Sequence, residues 1–157
     1  MAKVLRTKKS KEEAQAYLED FLERYAKDER VLRMAEFIHH PGVSTYTHSI
    51  RVVRKAVDVA LRLHISVNWE DLLLAALLHD FYLYDFHEKS SFRNGIVHPL
   101  KAVDNAITLF DANENVTRAI RTHMFPVIFW RIPTRREGWI VSIADKLVAI
   151  KEYVTRK

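Results

Sequence analysis

The stretch LLLAALL at residues 72–78 places the strongest constraint on how this chain folds, because it offers an apolar surface in every direction. Leu and Ala favour a helix, and a helix that is apolar all round must be enclosed by protein. We predict a central helix that begins after Asn68 and ends near His79 or Asp80. An imidazole and a carboxylate therefore directly follow the most buried segment of the chain.

The rest of the chain favours helices as well. Three glycines and four prolines among 157 residues leave little material for hairpin turns, and Leu, Ala, Glu, Lys and Arg are abundant. The length fits one domain, and an apolar share of 48% is enough for a substantial core. We therefore predict an all-α, single-domain fold of about seven helices.

Helix boundaries are predicted from capping residues and from Pro and Gly. SKEE at residues 10–13 and TRRE at residues 134–137 both have the form of a capping box. The predicted helices run from Ser10 to about Lys27, from Asp28 to near 39–42, from Ser44 to Leu63, from Trp69 to 79–80, from Pro99 to about Phe110, from Asn113 or Asn115 to near His123, and from Thr134 to about Val154. Between the last two helices, PVIFWRIP at 126–133 is expected to be core, with a lid or a dimer patch as alternatives.

Buried polar residues need an explanation in such a fold. Removing a carboxylate from water costs several kcal/mol unless a partner or a metal compensates. Asp145 lies in the strongly apolar segment VSIADKLVAI, so it poses the same problem as Asp80. Three histidines fall near predicted helix ends, where they could meet these carboxylates: His48, His98 and His123. The alternative is that each polar residue caps a helix or forms separate hydrogen bonds.

Imidazoles with carboxylates, in a chain without cysteine, suit a divalent transition metal such as iron, manganese, zinc, cobalt or nickel. Six ligands exceed what one open catalytic ion requires. Two ions bridged by a carboxylate would use all six, and two-metal sites commonly act on phosphate esters.

The order of these residues resembles the HD-domain superfamily of metal-dependent phosphohydrolases. That family is named for a His, a His-Asp pair and a distal Asp on a helical bundle; here they match His48, His79-Asp80 in LLLAALLHD, and Asp145 in IADKL. The resemblance covers residues 44–150. It implies an HD-type bundle in which residues 1–43 form N-terminal helices and residues 44–157 form the core with the metal site.

Two further segments, HPLKA with His98 and AIRTH with His123, resemble the HD subfamilies that hold a binuclear, often iron, centre. These include symmetrical diadenosine-tetraphosphate hydrolases and HD-type cyclic-dinucleotide phosphodiesterases. The resemblance implies that Asp80 bridges two ions, one held also by His48, His79 and Asp145, and the other completed by His98 and His123. His79 and Asp80 are the expected catalytic residues. The implied reaction is hydrolysis of a nucleotide or another small phosphate ester by a metal-bound hydroxide.

Cations near these histidines are candidates for binding the phosphate. Arg51 and Lys55 follow His48 by three and seven residues, and Lys101 follows His98 by three, so each pair shares a helix face. The alternative is ordinary surface charge. The remaining histidines are expected outside the centre: His39, His40 and His64 in water at helix ends or loops, and His87 as a spare ligand or acid that we do not favour.

Other functions are less compatible with the sequence. The net charge is +5, but the basic residues are scattered, which argues against specific nucleic-acid binding. No apolar run reaches the ~18 residues of a membrane span, and no secretory signal is evident, so we expect a cytoplasmic protein. The expected partners are a small phosphorylated substrate and a second copy of the chain in a homodimer. The alternative function is an inactive HD scaffold that binds a nucleotide or a partner protein.

Overall fold

The computed structural model describes residues 5–84 and 91–155. Within these ranges the chain forms seven α-helices, one short 3-10 helix and a two-stranded hairpin, which confirms the all-α prediction. In chain order the elements are α1 Lys11–Tyr25, α2 Glu29–Leu32, the 3-10 helix Arg33–Glu36, β1 Ile38–His40, β2 Val43–Ser44, α3 Thr45–Leu63, α4 Trp69–Leu78, α5 Ser91–Phe110, α6 Glu114–Thr122 and α7 Arg136–Val154.

Helix α4 is the central helix, as predicted. Its side chains at residues 72–78 are all buried, and it packs against α3, α6 and α7. The Asn68 side chain caps its first turn by accepting a hydrogen bond from the Asp71 backbone N–H. The Asp71 carboxylate in turn accepts from the side chains of Asn113 and Asn115, both at 2.8 Å. These bonds tie the N-termini of α4 and α6 together.

Three other predicted caps are present. The Ser10 hydroxyl accepts from the Glu13 backbone while the Glu13 carboxylate accepts from the Ser10 backbone, so the first capping box is complete. Ser44 caps α3 through the Thr47 backbone N–H. Asn113, rather than Asn115, caps α6.

The second predicted helix is wrong in its length. Asp28 does cap α2, but α2 has only four residues and passes into the 3-10 helix. The chain then forms a β-hairpin in which β1 and β2 pair antiparallel around Gly42, whose φ of 81° suits glycine. The Thr45 backbone N–H and hydroxyl both donate to the Phe37 carbonyl and anchor this hairpin to the start of α3.

The predicted start of α5 at Pro99 is also wrong. The helix already begins at Ser91, so Pro99 lies inside it and the Gly95 carbonyl lacks its usual donor. The carbonyl of the next residue, Ile96, accepts a hydrogen bond from the Arg131 side chain at 2.8 Å. Residues 91–98, which precede the predicted start, are therefore helical, and residues 85–90 lie outside the described residues.

The second capping box, TRRE, does not form. Arg135 occupies the cap position of α7 and its side chain makes no capping bond. Glu137 is instead fully buried and accepts from Arg6 at 3.0 Å and from the Asn68 backbone N–H at 2.9 Å. A long-range ion pair has thus replaced the local cap.

The segment at 126–133 is not the core that the sequence predicts. Only Ile128 and Pro133 are buried. Most of the large apolar side chains are 52–69% exposed: Val127, Phe129, Trp130 and Ile132. Among the described residues, no helix combines the length and the apolarity needed to cross a membrane.

Candidate metal centre

Six polar side chains from five helices or helix ends meet at the centre of the bundle. The end of α4 delivers two of them, since His79 is its C-cap residue and Asp80 follows. The others lie on α3 (His48), on α5 (His98), at the C-cap of α6 (His123) and inside α7 (Asp145). Each of the six is at most 7% exposed. The fold therefore brings together the six residues that the sequence singled out.

One side of the centre contains two imidazoles and two carboxylates. His48 Nε2 lies 3.1 Å from Asp145 Oδ1 and 3.8 Å from Asp80 Oδ2. His79 Nε2 lies 3.1 Å from Asp80 Oδ2 and 3.6 Å from Asp145 Oδ1. One ligand atom from each of the four residues lies within 4.8 Å of the others, which is close enough to hold one ion.

The other carboxylate oxygen of Asp80 faces a second group. Asp80 Oδ1 lies 3.2 Å from His98 Nε2 and 3.4 Å from His123 Nε2. These three residues form a separate set that could hold an ion. Asp80 thus belongs to both groups, with one oxygen toward each.

The four histidines are oriented alike by bonds on their far sides. In every ring Nδ1 faces an oxygen that can only accept: the Glu152 carboxylate for His48 at 2.9 Å, and the backbone carbonyls of Ala76, Asn94 and Ile120 for His79, His98 and His123 at 2.8, 2.7 and 2.7 Å. Each Nδ1 therefore carries the hydrogen, and Nε2 of the neutral ring directs its lone pair into the centre. Such outer bonds are typical of metal-ligating histidines.

This arrangement fits a cation. His98 Nε2 and His123 Nε2 are 3.1 Å apart, yet neither can donate to the other when both rings are neutral. Two further buried atoms, His79 Nε2 and Asp80 Oδ1, have no hydrogen-bond partner of good geometry among the described residues. Buried polar atoms are rarely left in this state, and a positive ion between these lone pairs would satisfy them.

The electrostatics of the centre also favour positive charge. Burial would raise the pKa of Asp80, but the charge of His79 holds it well below its usual range. Burial likewise opposes ionisation of Asp145, whose pKa is kept low by Lys146 and by hydrogen bonds from histidines. Burial would lower the pKa of His79, but Asp80 and Asp145 raise it to about 10. Burial lowers the pKa of His123 to about 4, so that ring is a neutral donor of electrons.

Two charged residues that the sequence analysis missed hold the ligands of α3 and α7. Glu152 is 4% exposed and binds His48 Nδ1 with one oxygen and Arg51 with the other, at 2.9 and 3.0 Å. Lys146 donates to Asp145 Oδ2 at 2.6 Å and to the His123 carbonyl at 2.8 Å. Lys146 thereby leaves Asp145 Oδ1 facing the histidines. Glu152 follows Asp145 by seven residues, which is the signal in the sequence that could have revealed it.

His39 also lies at the centre, although we expected it in water. Its ring stacks on His48 at 4.0 Å, and its Nδ1 lies 3.4 Å from Asp80 Oδ2 and 3.5 Å from the Tyr82 hydroxyl. Burial lowers the pKa of His39 to about 3. Ring nitrogens of His39, His40 and His48 form a third set close enough to hold an ion.

The other two histidines have different positions. His64 ends α3 and is exposed, as expected. His87 lies outside the described residues.

The three candidate phosphate-binding cations lie on different sides of the molecule. Arg51 and Lys55 face a surface groove between α3 and α7, where Arg51 binds Glu152 and Lys55 lies 3.4 Å from Asp58. Lys101 instead lines a cleft of about 590 Å³. That cleft borders the metal centre through Tyr82, and its other lining residues include Arg33, Tyr84, Arg93 and Asn94.

Comparison with known protein families gives one result. A sequence model of the HD domain matches residues 45–150, which span α3 to α7 and include all six residues of the centre. Comparisons with curated proteins and with solved structures found no match.

Proposed function

Because the chain belongs to the HD-domain family, whose members are mostly metal-dependent phosphohydrolases, we propose that it hydrolyses a nucleotide or another small phosphate ester. The observation that carries this proposal is the position of Asp80 between the two ligand groups. One of its carboxylate oxygens lies 3.1 Å from His79 Nε2 and the other lies 3.2 Å from His98 Nε2. A carboxylate shared in this way is suited to bridge two ions.

Two divalent ions would occupy the two groups. His48, His79, Asp80 and Asp145 would hold one, and Asp80, His98 and His123 the other. Nitrogen donors with few carboxylates favour iron or manganese, with zinc, cobalt or nickel as substitutes, over magnesium. When bound, such ions lower the pKa of a water molecule and neutralise charge on a phosphoryl group.

The protein residues supply orientation and a dry environment. The outer bonds on Nδ1 hold all four imidazoles in the tautomer that can bind a metal. Lys146 and Glu152 fix Asp145 and His48 from opposite sides. Because the six residues are nearly enclosed, electrostatic interactions at this centre are stronger than they would be in water.

The cleft beside the centre is suited to the anionic part of the substrate. Arg33, Arg93 and Lys101 project into it, and among the described residues that line it there is no Asp or Glu. We assign Lys101 to phosphate binding on this ground. Arg51 would act indirectly, through Glu152 on His48, and Lys55 would serve as a surface charge.

Metal-dependent turnover tests the proposal. The protein is freed of metal, reloaded with Mn²⁺ or Fe²⁺, and assayed for phosphate or nucleotide release against a panel of mononucleotides, dinucleotides and phosphomonoesters. We expect turnover of at least one compound, abolished by chelator and reduced at least 1,000-fold in Asp80→Asn, an effect on the scale of losing the ions.

Glu114→Gln is the matched control, since Glu114 is an exposed acid paired with Arg118 on α6, away from the centre. It should retain full activity. Ligand binding without turnover by the metal-loaded protein would instead support the inactive scaffold.

A further inference from the structure

One face of α7 is apolar although it is exposed. Trp139, Ile143, Leu147, Ile150 and Val154 recur at steps of three or four residues and are 39–66% exposed. We call these five residues the α7 stripe. The opposite face of the same helix packs against the core and carries Asp145. Helix α7 therefore has apolar side chains on both faces. Exposed apolar surfaces of this extent mark interaction sites.

The stripe continues onto residues 125–133, the segment that precedes α7. The rings of Phe125 and Trp139 are in contact, with centroids 5.2 Å apart. Phe129 and Trp130, which are 69% and 52% exposed, belong to the same segment. The exposed apolar side chains of stripe and segment together offer on the order of 1,000 Å², which exceeds the roughly 800 Å² per partner of a standard stable interface.

We propose that this surface is the interface of a homodimer in which two α7 helices pack antiparallel. The stripe spans 16 residues, a rise of about 22 Å along the helix, and its midpoint lies beside Leu147. Antiparallel packing about that midpoint sets Trp139 against Val154, the largest side chain against the smallest, and Ile143 against Ile150. The two Leu147 side chains then meet at the twofold axis, as a self-complementary interface requires.

The charges of α7 are compatible with contact between two copies of this face. The acidic residues of α7 are all buried, so the exposed face has no acid to repel or attract a copy of itself: Glu137, Asp145 and Glu152. The basic residues Arg135 and Arg136 lie at the N-terminus of the helix. Antiparallel packing places them beside the carbonyl groups at the partner's C-terminus, where cations are favoured, and also near the partner's Lys151 in the last turn of α7.

The test is the mass in solution at micromolar concentration, measured by light scattering during gel filtration. We expect twice the chain mass of 18.4 kDa, and the chain mass itself for Leu147→Glu. Leu63→Glu is the control, because Leu63 is 51% exposed on α3, outside the stripe. It should remain a dimer, and circular dichroism should show unchanged helix content in both variants.

Two additional variants address the twofold axis directly. An equimolar mixture of Leu147→Glu and Leu147→Lys should form a dimer that neither variant forms alone. Because the chain has no cysteine, Leu147→Cys should be joined in high yield by a short bis-maleimide, and Leu63→Cys should not.

Three results would each overturn the proposal. They are a monomeric wild-type chain across the micromolar range, a dimer that persists in Leu147→Glu, and a monomer that sediments with acidic phospholipid vesicles through the stripe.

Discussion

Glu152 Oε2 lies 2.9 Å from Nδ1 of His48, on the side of the imidazole that faces away from Asp145. The same carboxylate is held by Arg51 through its other oxygen. A buried carboxylate on the outer nitrogen of a ligand histidine fixes the ring and makes its inner nitrogen more basic. Glu152 is therefore a positioning residue for the first ligand group, and it acts through His48.

The first prediction is that Glu152→Gln weakens metal binding. The amide can still contact the ring but has no negative charge, so the inner nitrogen of His48 becomes a poorer ligand. We expect a 10- to 100-fold loss of affinity for the ion held by His48, the range found for outer-shell partners. Competition with a chromophoric chelator measures this directly.

Glu137→Gln is the matched control for that experiment. Glu137 is on the same helix, is equally buried and also binds an arginine, but its partners are Arg6 and the Asn68 backbone. This variant should lower the free energy of unfolding and leave the metal affinity unchanged. Equal losses of affinity in both variants would mean that Glu152 has only a structural role.

The second prediction separates the two ligand groups by metal content. His123 contributes to one group only, whereas Asp80 contributes to both. We expect two ions per chain in the wild type, one in His123→Ala and fewer than one in Asp80→Asn, measured by inductively coupled plasma mass spectrometry after gel filtration. One ion per chain in the wild type and none in His123→Ala would contradict a two-ion centre.

The third prediction concerns pH. Asp80 and Asp145 raise the pKa of His79 to about 10 against the effect of burial, so its ring is protonated at pH 7 in the metal-free protein. A metal ligand must be neutral, so binding must release this proton, and metal affinity should rise with pH until about pH 10. Calorimetry in buffers of different ionisation enthalpy measures the protons released.

The same shift predicts how the metal-free protein responds to pH. A raised folded-state pKa stabilises the fold at pH values below the unfolded value of about 6.5, and this contribution is lost as pH rises through about 10. For the calorimetric measurement of proton release, His64→Ala is the control, because His64 is exposed at the end of α3. This variant should release as many protons on metal binding as the wild type. Metal binding with no proton release at pH 7 would contradict the assignment of His79 as a ligand.

Local signals in the sequence predicted the central helix and most of the helix caps. The run at 72–78 required burial, and Ser10, Ser44 and Asn68 cap their helices as expected. The second capping box was wrong because a distant residue competes for Glu137. Glu137 has the sequence position of a capping residue, yet Arg6 binds it from 131 residues away. No local pattern reports such a partner.

The residues of the candidate site also divide into those that a local sequence pattern reveals and those that it does not. Buried carboxylates at Asp80 and Asp145 implied a shared compensating ion, and the fold does bring these residues together. His39 could not be found in this way, because it reaches the centre from a β-hairpin that lacks helical periodicity. The sequence could have revealed Glu152, since it lies two turns after Asp145 on the same face of α7. Its importance, however, depends on where His48 directs its outer nitrogen.

The last prediction distinguishes the cations near the centre. Lys101 lines the cleft that borders Tyr82, with Arg33 and Arg93 beside it, and no carboxylate among the described residues pairs with it. Lys55 lies in a separate groove close to Asp58. Loss of a charge that contacts an anionic substrate costs about 1.5–3 kcal/mol, so Lys101→Ala should raise KM by 10- to 100-fold at low salt. Lys55→Ala, the matched removal of one lysine outside this cleft, should change KM less than twofold. Metal content should be unaffected in both variants, so a loss of activity in Lys101→Ala cannot be attributed to the ions. Equal KM values for the two variants would place the substrate outside this cleft.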